Sequence, residues 1–217
     1  ITPLIGFATV SVQIRGSGCS GGAFDLFGLP TIYDGYDAIE TVAAQPWVKG
    51  GKVGMVGISY SGFSQLFVAG TRPPHLAAIA PMSPTDDLYQ GIGFPGCIFN
   101  TGFAKSWLTE RSEDALPAPK GGQEWAKVLV EQGDEHCIAN QRLHGQAQDG
   151  LEILSHTEFR EPVLFADRTP GEWAKNIDVP VFLVGGMQDE QLESHWMQMI
   201  PALEDDPDVW VTMYNGN

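Results

Sequence analysis

"GKVGMVGISYSGFSQ" (Gly51–Gln65) decides how this chain is read. Its first part, "KVGMVG" (Lys52–Gly57), is a short apolar run of the kind that forms a buried strand. "YSGFSQLFVAGT" follows at once, with Phe63, Leu66 and Phe67 on one helical face and Gly70 near its end. Ser59 stands where the strand would turn into the helix. Two readings compete for it: a nucleophile at a strand-to-helix elbow, or an ordinary serine in a glycine-rich turn. The pattern glycine, any, serine, any, glycine fails at its last position, because Ser61 stands there and the glycine comes one residue late, at Gly62. A protruding nucleophile needs small neighbours, and Gly57 and Ser61 both qualify. Tyr60 N–H, the first amide of the helix, would lie beside an oxyanion, where the helix dipole also helps. The strand behind and the helix ahead favour the nucleophile.

Outward from this stretch, "DGYDAIETVAAQPW" places Tyr36, Ile39, Val42 and Ala43 at helical spacing, with Asp34 and Asp37 in the expected first turn and Pro46 at the end. "GFATVSVQI" (Gly6–Ile14) reads as a buried strand, and "RGSGCSGGAFDLFGLP" after it as a loop. "LAAIAPM" (Leu76–Met82) is a further strand. Strands and helices alternating over short connections predict right-handed crossovers and a parallel sheet. The rhythm breaks over residues 89–175, where prolines, glycine pairs and helix-like pieces such as "GGQEWAKVLVEQGDEH" and "CIANQRLHGQAQDGLEIL" predict a helical cap inserted between strands. It resumes with "NIDVPVFLVGG" (Asn176–Gly186), a helix in "DEQLESHWMQMIPALEDD", and a last strand in "DVWVTMY" (Asp208–Tyr214). The expected organisation is a core in two parts, residues 1–88 and 176–217, around a cap at 89–175.

Of 217 residues, 43% are hydrophobic, enough for one good core. Acidic residues outnumber basic ones 27 to 12, a formal charge of −15 that would repel phosphate backbones and argues against nucleic-acid partners. No apolar stretch approaches the ~20 residues that span a bilayer. The opening "ITPLIGFATVSVQ" has no basic leader and reads like a chain entering a strand, so something upstream is expected. Cys19, Cys97 and Cys137 show no metal-ligand spacing, so no metal or other cofactor is expected; one disulfide with a free thiol and three reduced thiols stay open, as do compartment and oligomeric state.

A nucleophilic serine needs an acid at the end of a later strand and a histidine after that acid. "VPVFLVGGMQDEQ" offers Asp189 in the loop after an apolar strand; the rival reading makes Asp189 and Glu190 caps of the next helix. Of the five histidines only His195 follows Asp189 and is the alternative base within the chain, but a predicted helix beside Trp196 would carry it away from the sheet's edge, so it reads first as a surface or packing histidine. The "RGSGCSGG" loop lacks the lysine of a phosphate-binding loop and reads as structural. Trp107, Trp125, Phe94, Phe99 and Phe103 read as the core of the cap before they read as a substrate pocket, and Asp86 and Asp87 as helix caps before an amine site.

Three segments, "QIRGSGCSGGAFD", "DGYDAIETVAAQPWVKGGKVGMVGISYSG" and "VPVFLVGGMQDEQ", resemble the CocE/NonD group of serine hydrolases, which includes cocaine-esterase-like acyl esterases, X-Pro dipeptidyl-peptidase-like enzymes and α-amino acid ester hydrolases. The group's elbow reads glycine, any, serine, tyrosine, any, glycine, which Gly57, Ser59, Tyr60 and Gly62 satisfy. Gln13 departs from the aspartate that many relatives carry two residues before the Arg15 position, a change expected to affect support of the loop. The resemblance implies an α/β-hydrolase fold with a mostly parallel sheet and a helical cap. It implies Ser59 as nucleophile, Asp189 as triad acid and Tyr60 N–H as one oxyanion donor, acting on a small-molecule ester or peptide. It places a second donor, a tyrosine hydroxyl, upstream of this chain and the triad histidine just after the strand matching "DVWVTMY". With the family's first strands and C-terminal jelly-roll domain also absent, the chain is expected to be an internal fragment, nearly inactive alone. Acyl ester hydrolysis is the favoured activity; X-Pro dipeptidyl aminopeptidase or α-amino acid ester hydrolase is the alternative, and a non-catalytic hydrolase-fold binding protein the alternative of another class.

Overall fold

The apolar runs meet in one sheet of a computed structural model that describes residues 2–146, 149–203 and 208–216. β1 (Val53–Ile58), β2 (Leu76–Met82), β3 (Val181–Gly186) and β4 (Val209–Tyr214) lie side by side in that order, each pair parallel. The helices are α1 (Leu29–Ala43), α2 (Tyr60–Gly70), α3 (Phe103–Asp114), α4 (Glu124–Glu131), α5 (Glu135–Asn140), α6 (Gly150–Ser155), α7 (Pro162–Phe165), α8 (Pro170–Ala174) and α9 (Ile200–Leu203). Parallel strands end at the same edge, so the loops after all four strands gather there.

The chain forms two compact units. One comprises Asp25–Ser112 and Gln148–Asn217 and contains the sheet; the other comprises Ile1–Phe24 and Glu113–Ala147. Between β2 and β3 the described residues form helices and turns and no strand.

In the sheet unit, α2 is the hub. Phe63, Leu66 and Phe67 are buried, each contributing about 1.5–3 kcal/mol through removal from water. Phe27, Ile32, Ile39 and Trp196 belong to the same core. Gln65, buried among them, has every described bond on backbone: Nε2 donates to Ser61 O at 2.7 Å and to Gly57 O at 3.4 Å, while Oε1 accepts from Ala80 N at 2.9 Å. It fastens α2 to the end of β1 and the middle of β2. A second cluster of Tyr89, Leu108, Leu154 and Phe165 collects Phe94, Phe99 and Trp107, so these insertion aromatics do pack as core.

Several expectations need correction. Gly6–Ile14 is no strand; Phe7, Val10 and Val12 are exposed, and among the described residues no neighbour takes a ladder of bonds from this segment, without which an apolar run has no reason to be a strand. The helix over "DGYDAIETVAAQPW" begins earlier, at Leu29, because Pro30 sits in its first turn with φ already set for helix, so Asp34 and Asp37 are interior. In "DEQLESHWMQMIPALEDD" a turn spans residues 189–194, a 3-10 turn runs His195–Met199 and α9 is one turn long; residues 204–206 lie outside the described residues. The helix expected through "CIANQRLHGQAQDGLEIL" is two short ones, α5 and α6, and its residues 147 and 148 also lie outside.

The other unit is held by Cys19–Cys137, a disulfide bridging residues 118 apart, with Cys97 left as an exposed free thiol. Around it, Asn140 Nδ2 donates to Cys19 O at 2.9 Å, Gln141 Nε2 to Gly18 O at 3.0 Å, and His144 Nε2 bonds Ser20 O at 2.8 Å. Gln13 bonds within this loop, donating from Nε2 to Ser17 Oγ at 2.9 Å while its carbonyl accepts from Ser20 Oγ. Closing a loop of 118 residues restrains the unfolded chain by about 5 kcal/mol in the chain-entropy account. Cys137→Ser should therefore lower the urea midpoint of this unit, and dithiothreitol should lower the unsubstituted protein's midpoint but not the variant's. Equal midpoints with and without reductant in the unsubstituted protein would count against the bridge.

Candidate active site

Ser59 links β1 to α2 with φ 58° and ψ −121°, a conformation that costs a non-glycine residue ~1–3 kcal/mol. Its surroundings enforce it. Ser59 N donates to Met82 O at 2.9 Å, tying the turn to β2, while Ser59 O accepts from Gly62 N at 2.7 Å and Phe63 N at 2.9 Å, starting α2. Ser61 Oγ donates to Ile58 O at 3.0 Å, closing the last carbonyl of β1. A Cβ at Gly57 would collide with the Ser61 side chain, and one at Gly62 with the Met82 carbonyl oxygen. The late glycine has a physical reason: α2 runs so close to β2 that position 62 has no room for a side chain, whereas position 61 points where a serine fits.

Tyr60 N–H begins α2, and the first amides of a helix have no intrahelical acceptor. The Tyr60 ring packs on Phe27 at 4.3 Å and on Phe63 and Trp107 at 5.8 and 6.0 Å between centroids. Its buried hydroxyl has no hydrogen-bond partner among the described residues. Burial pushes its pKa far above the usual tyrosine value, Arg111 opposing and Asp25 adding, so the phenol stays protonated. Trp107 also lines an apolar recess with Leu26, Leu88, Leu154 and Phe165, at whose edge Arg168 Nη2 and Asp25 Oδ1 pair at 2.7 Å.

Asp189 lies in the loop after β3, two strands from β1 and so roughly 10 Å across the sheet at normal strand spacing. Met187 N donates to Tyr214 O at 3.0 Å, which ties the loop's start to the end of β4. Asp189 Oδ1 accepts from Gln191 N at 2.9 Å and Leu192 N at 3.0 Å. His195 turns elsewhere: its Nδ1 lies 3.1 Å from Asp86 Oδ1. Asp87 does cap, its Oδ1 accepting from Tyr89 N and Gln90 N, and its Oδ2 holds Arg160 Nε at 2.8 Å. The sequence reading missed the His195–Asp86 pair, because a contact across 109 residues leaves no local pattern. Three other histidines are engaged apart from this edge: His75 with Glu40, His144 with Ser20 O and His156 with Glu152 O. Among the described residues no group of His, Cys, Asp and Glu is arranged to hold a metal ion.

Relief of strain gives a direct test of the elbow. Ser59→Gly should raise stability to urea by about 1 kcal/mol, since glycine adopts this φ freely, whereas Gly62→Ala should lower it by about 1–3 kcal/mol. Destabilisation by both substitutions would contradict this geometry.

Known proteins share this fold. A CocE/NonD family hydrolase from Staphylococcus aureus superposes with a TM-score of 0.70 at 21% identity, over 92% of this chain and 31% of that one. An aminopeptidase from a marine-sediment thaumarchaeon gives 0.58 at 18% identity, over 83% and 31%, and an α-amino acid ester hydrolase 0.56 at 19%, over 83% and 30%. The fold is that of the α/β-hydrolases. A Mycobacterium bovis protein named for serine esterase activity is 36% identical over 103 residues, which is 47% of this chain and 16% of that protein. Residues 5–217 match the family model described as X-Pro dipeptidyl-peptidase (S15 family), and the chain belongs to that family.

Proposed function

We propose that the protein is a serine hydrolase that cleaves carboxylic esters through an acyl-enzyme. Ser59 Oγ attacks the carbonyl carbon, Tyr60 N–H stabilises the oxyanion, and Asp189 orients the histidine that takes the serine proton and returns it to the leaving alcohol. We assign that histidine to the loop following β4, the position expected from the family resemblance. Water then releases the acid by the same steps in reverse roles.

The observation that carries this reading is the strained Ser59 backbone, held at a strand-to-helix turn by bonds to β2 and cleared by two glycines that cannot be replaced without collision. Backbone strain of this kind clusters at active sites and ligand clamps, where it serves the mechanism. Asp86 and Asp87 bear on the choice between ester and peptide: both are engaged, with His195 and Arg160, rather than offered to a substrate amine. The apolar recess beside Trp107 favours esters with apolar acyl groups.

In the full-length protein, a fluorophosphonate should label Ser59 and p-nitrophenyl butyrate should be turned over faster than a Gly-Pro anilide. Ser59→Ala should reduce ester turnover by about 10⁴-fold or more while leaving the fold intact. Labelling at another residue, or turnover that survives the substitution, would remove Ser59 from this role, and faster cleavage of the anilide would favour the dipeptidyl-peptidase reading.

A further inference from the structure

We propose that His195 and Asp86 are a positioning pair, mooring the loop that carries Asp189 so that its carboxylate meets the base in one orientation. The inference rests on Asp189 being the triad acid.

The loop is fixed at both ends. At its start Met187 N and Gln188 N donate to Tyr214 O and Gly216 O. Its middle is closed on itself, Asp189 O accepting from Glu193 N at 3.0 Å and Asp189 Oδ1 from Gln191 N and Leu192 N, with the Leu192 side chain buried. At its far end Trp196, fully buried, donates from Nε1 to Gly186 O at 3.0 Å. His195, next to that anchor, is the loop's tie to β2. A carboxylate only accepts, so the imidazole Nδ1 carries the proton that Asp86 Oδ1 receives.

The partner is itself held. Asp86 follows β2 by four residues, and its carbonyl accepts from Gly171 N at 2.8 Å at the start of α8. Beside it Asp87 is neutralised by Arg160. Gly91 lies beside His195: a Cβ there would collide with Thr85 Oγ1 while making only ordinary contact, at 3.5 Å, with His195 Cβ.

Such a pair does not serve stability at neutral pH. Burial pushes the Asp86 carboxyl above its usual value, outweighing the attraction of His195, and neighbouring Asp87 pushes the same way. A carboxyl raised in the folded state favours folding at low pH, and that contribution is lost as pH rises through the raised value. At pH 7 the ionised Asp86 therefore costs stability, which is the behaviour of a buried carboxylate whose use is geometric.

The test uses full-length enzyme with His195→Ala and His195→Asn, the asparagine amide placing a donor near the imidazole Nδ1. The alanine variant should lose about tenfold in kcat with KM unchanged. Its acid limb of kcat/KM should move to lower pH, because a wandering Asp189 stabilises the imidazolium less. The asparagine variant should recover most of both. Amide exchange at Gln191 and Leu192 should quicken in the alanine variant alone. Unchanged kcat and pH profile with only a lower Tm, or unchanged exchange, overturns the proposal. Absence of any Ser59-dependent turnover in the unsubstituted enzyme instead overturns the hydrolase reading, and the exchange measurement still decides whether His195 moors the loop.

Discussion

The candidate nucleophile depends on one close approach, the backbone of Gly62 against the carbonyl oxygen of Met82. That contact lets α2 start directly over β2, which brings Ser59 N onto Met82 O and leaves Ser59 no backbone conformation but a left-handed one. The strain of ~1–3 kcal/mol is small beside the burial of Phe63, Leu66 and Phe67 on the same helix, each about 1.5–3 kcal/mol. Gln65 then prevents the helix from relaxing away, since its amide bridges Gly57 O, Ser61 O and Ala80 N. Strain persists because packing and hydrogen bonds over-determine the turn.

The same economy of neighbours governs the opposite side of the edge. Gly185 lies against the Trp196 ring and Gly186 accepts its indole proton, so the end of β3 is shaped to receive a residue ten positions downstream. The loop carrying Asp189 is thereby a short arc between fixed points. Rigid strand ends with tethered loops are a favourable base for a site whose groups must stand within a few tenths of an ångström of one geometry.

Much of this was legible because it is local. The four strands and α2 follow from apolar runs and helical spacing, and the elbow glycines from the family pattern. What escaped was non-local. Gly6–Ile14 has strand composition but pairs with no strand among the described residues, and strand composition by itself carries no pairing information. The helix expected around His195 yields to a 3-10 turn where Trp196 must reach Gly186, a tertiary demand overriding propensity. The Cys19–Cys137 bridge was one of several open possibilities, and only the fold brings the two sulfurs together. Asp86 read as a cap because a carboxylate after a strand usually is one; its partner lies 109 residues away.

The two readings of Asp189, triad acid or cap, turn out not to be rivals. The loop amides of Gln191 and Leu192 both fall on Oδ1, and none of the described hydrogen bonds falls on Oδ2. A carboxylate gripped through one oxygen has its plane and rotamer set, which is what an acid that must orient an imidazole requires. Capping would then be the means by which the proposed acid is aimed. The same logic applies to Ser59, whose carbonyl starts α2 while its amide is tied to β2. At each position a group spent on local structure restrains the one that the proposed chemistry would use.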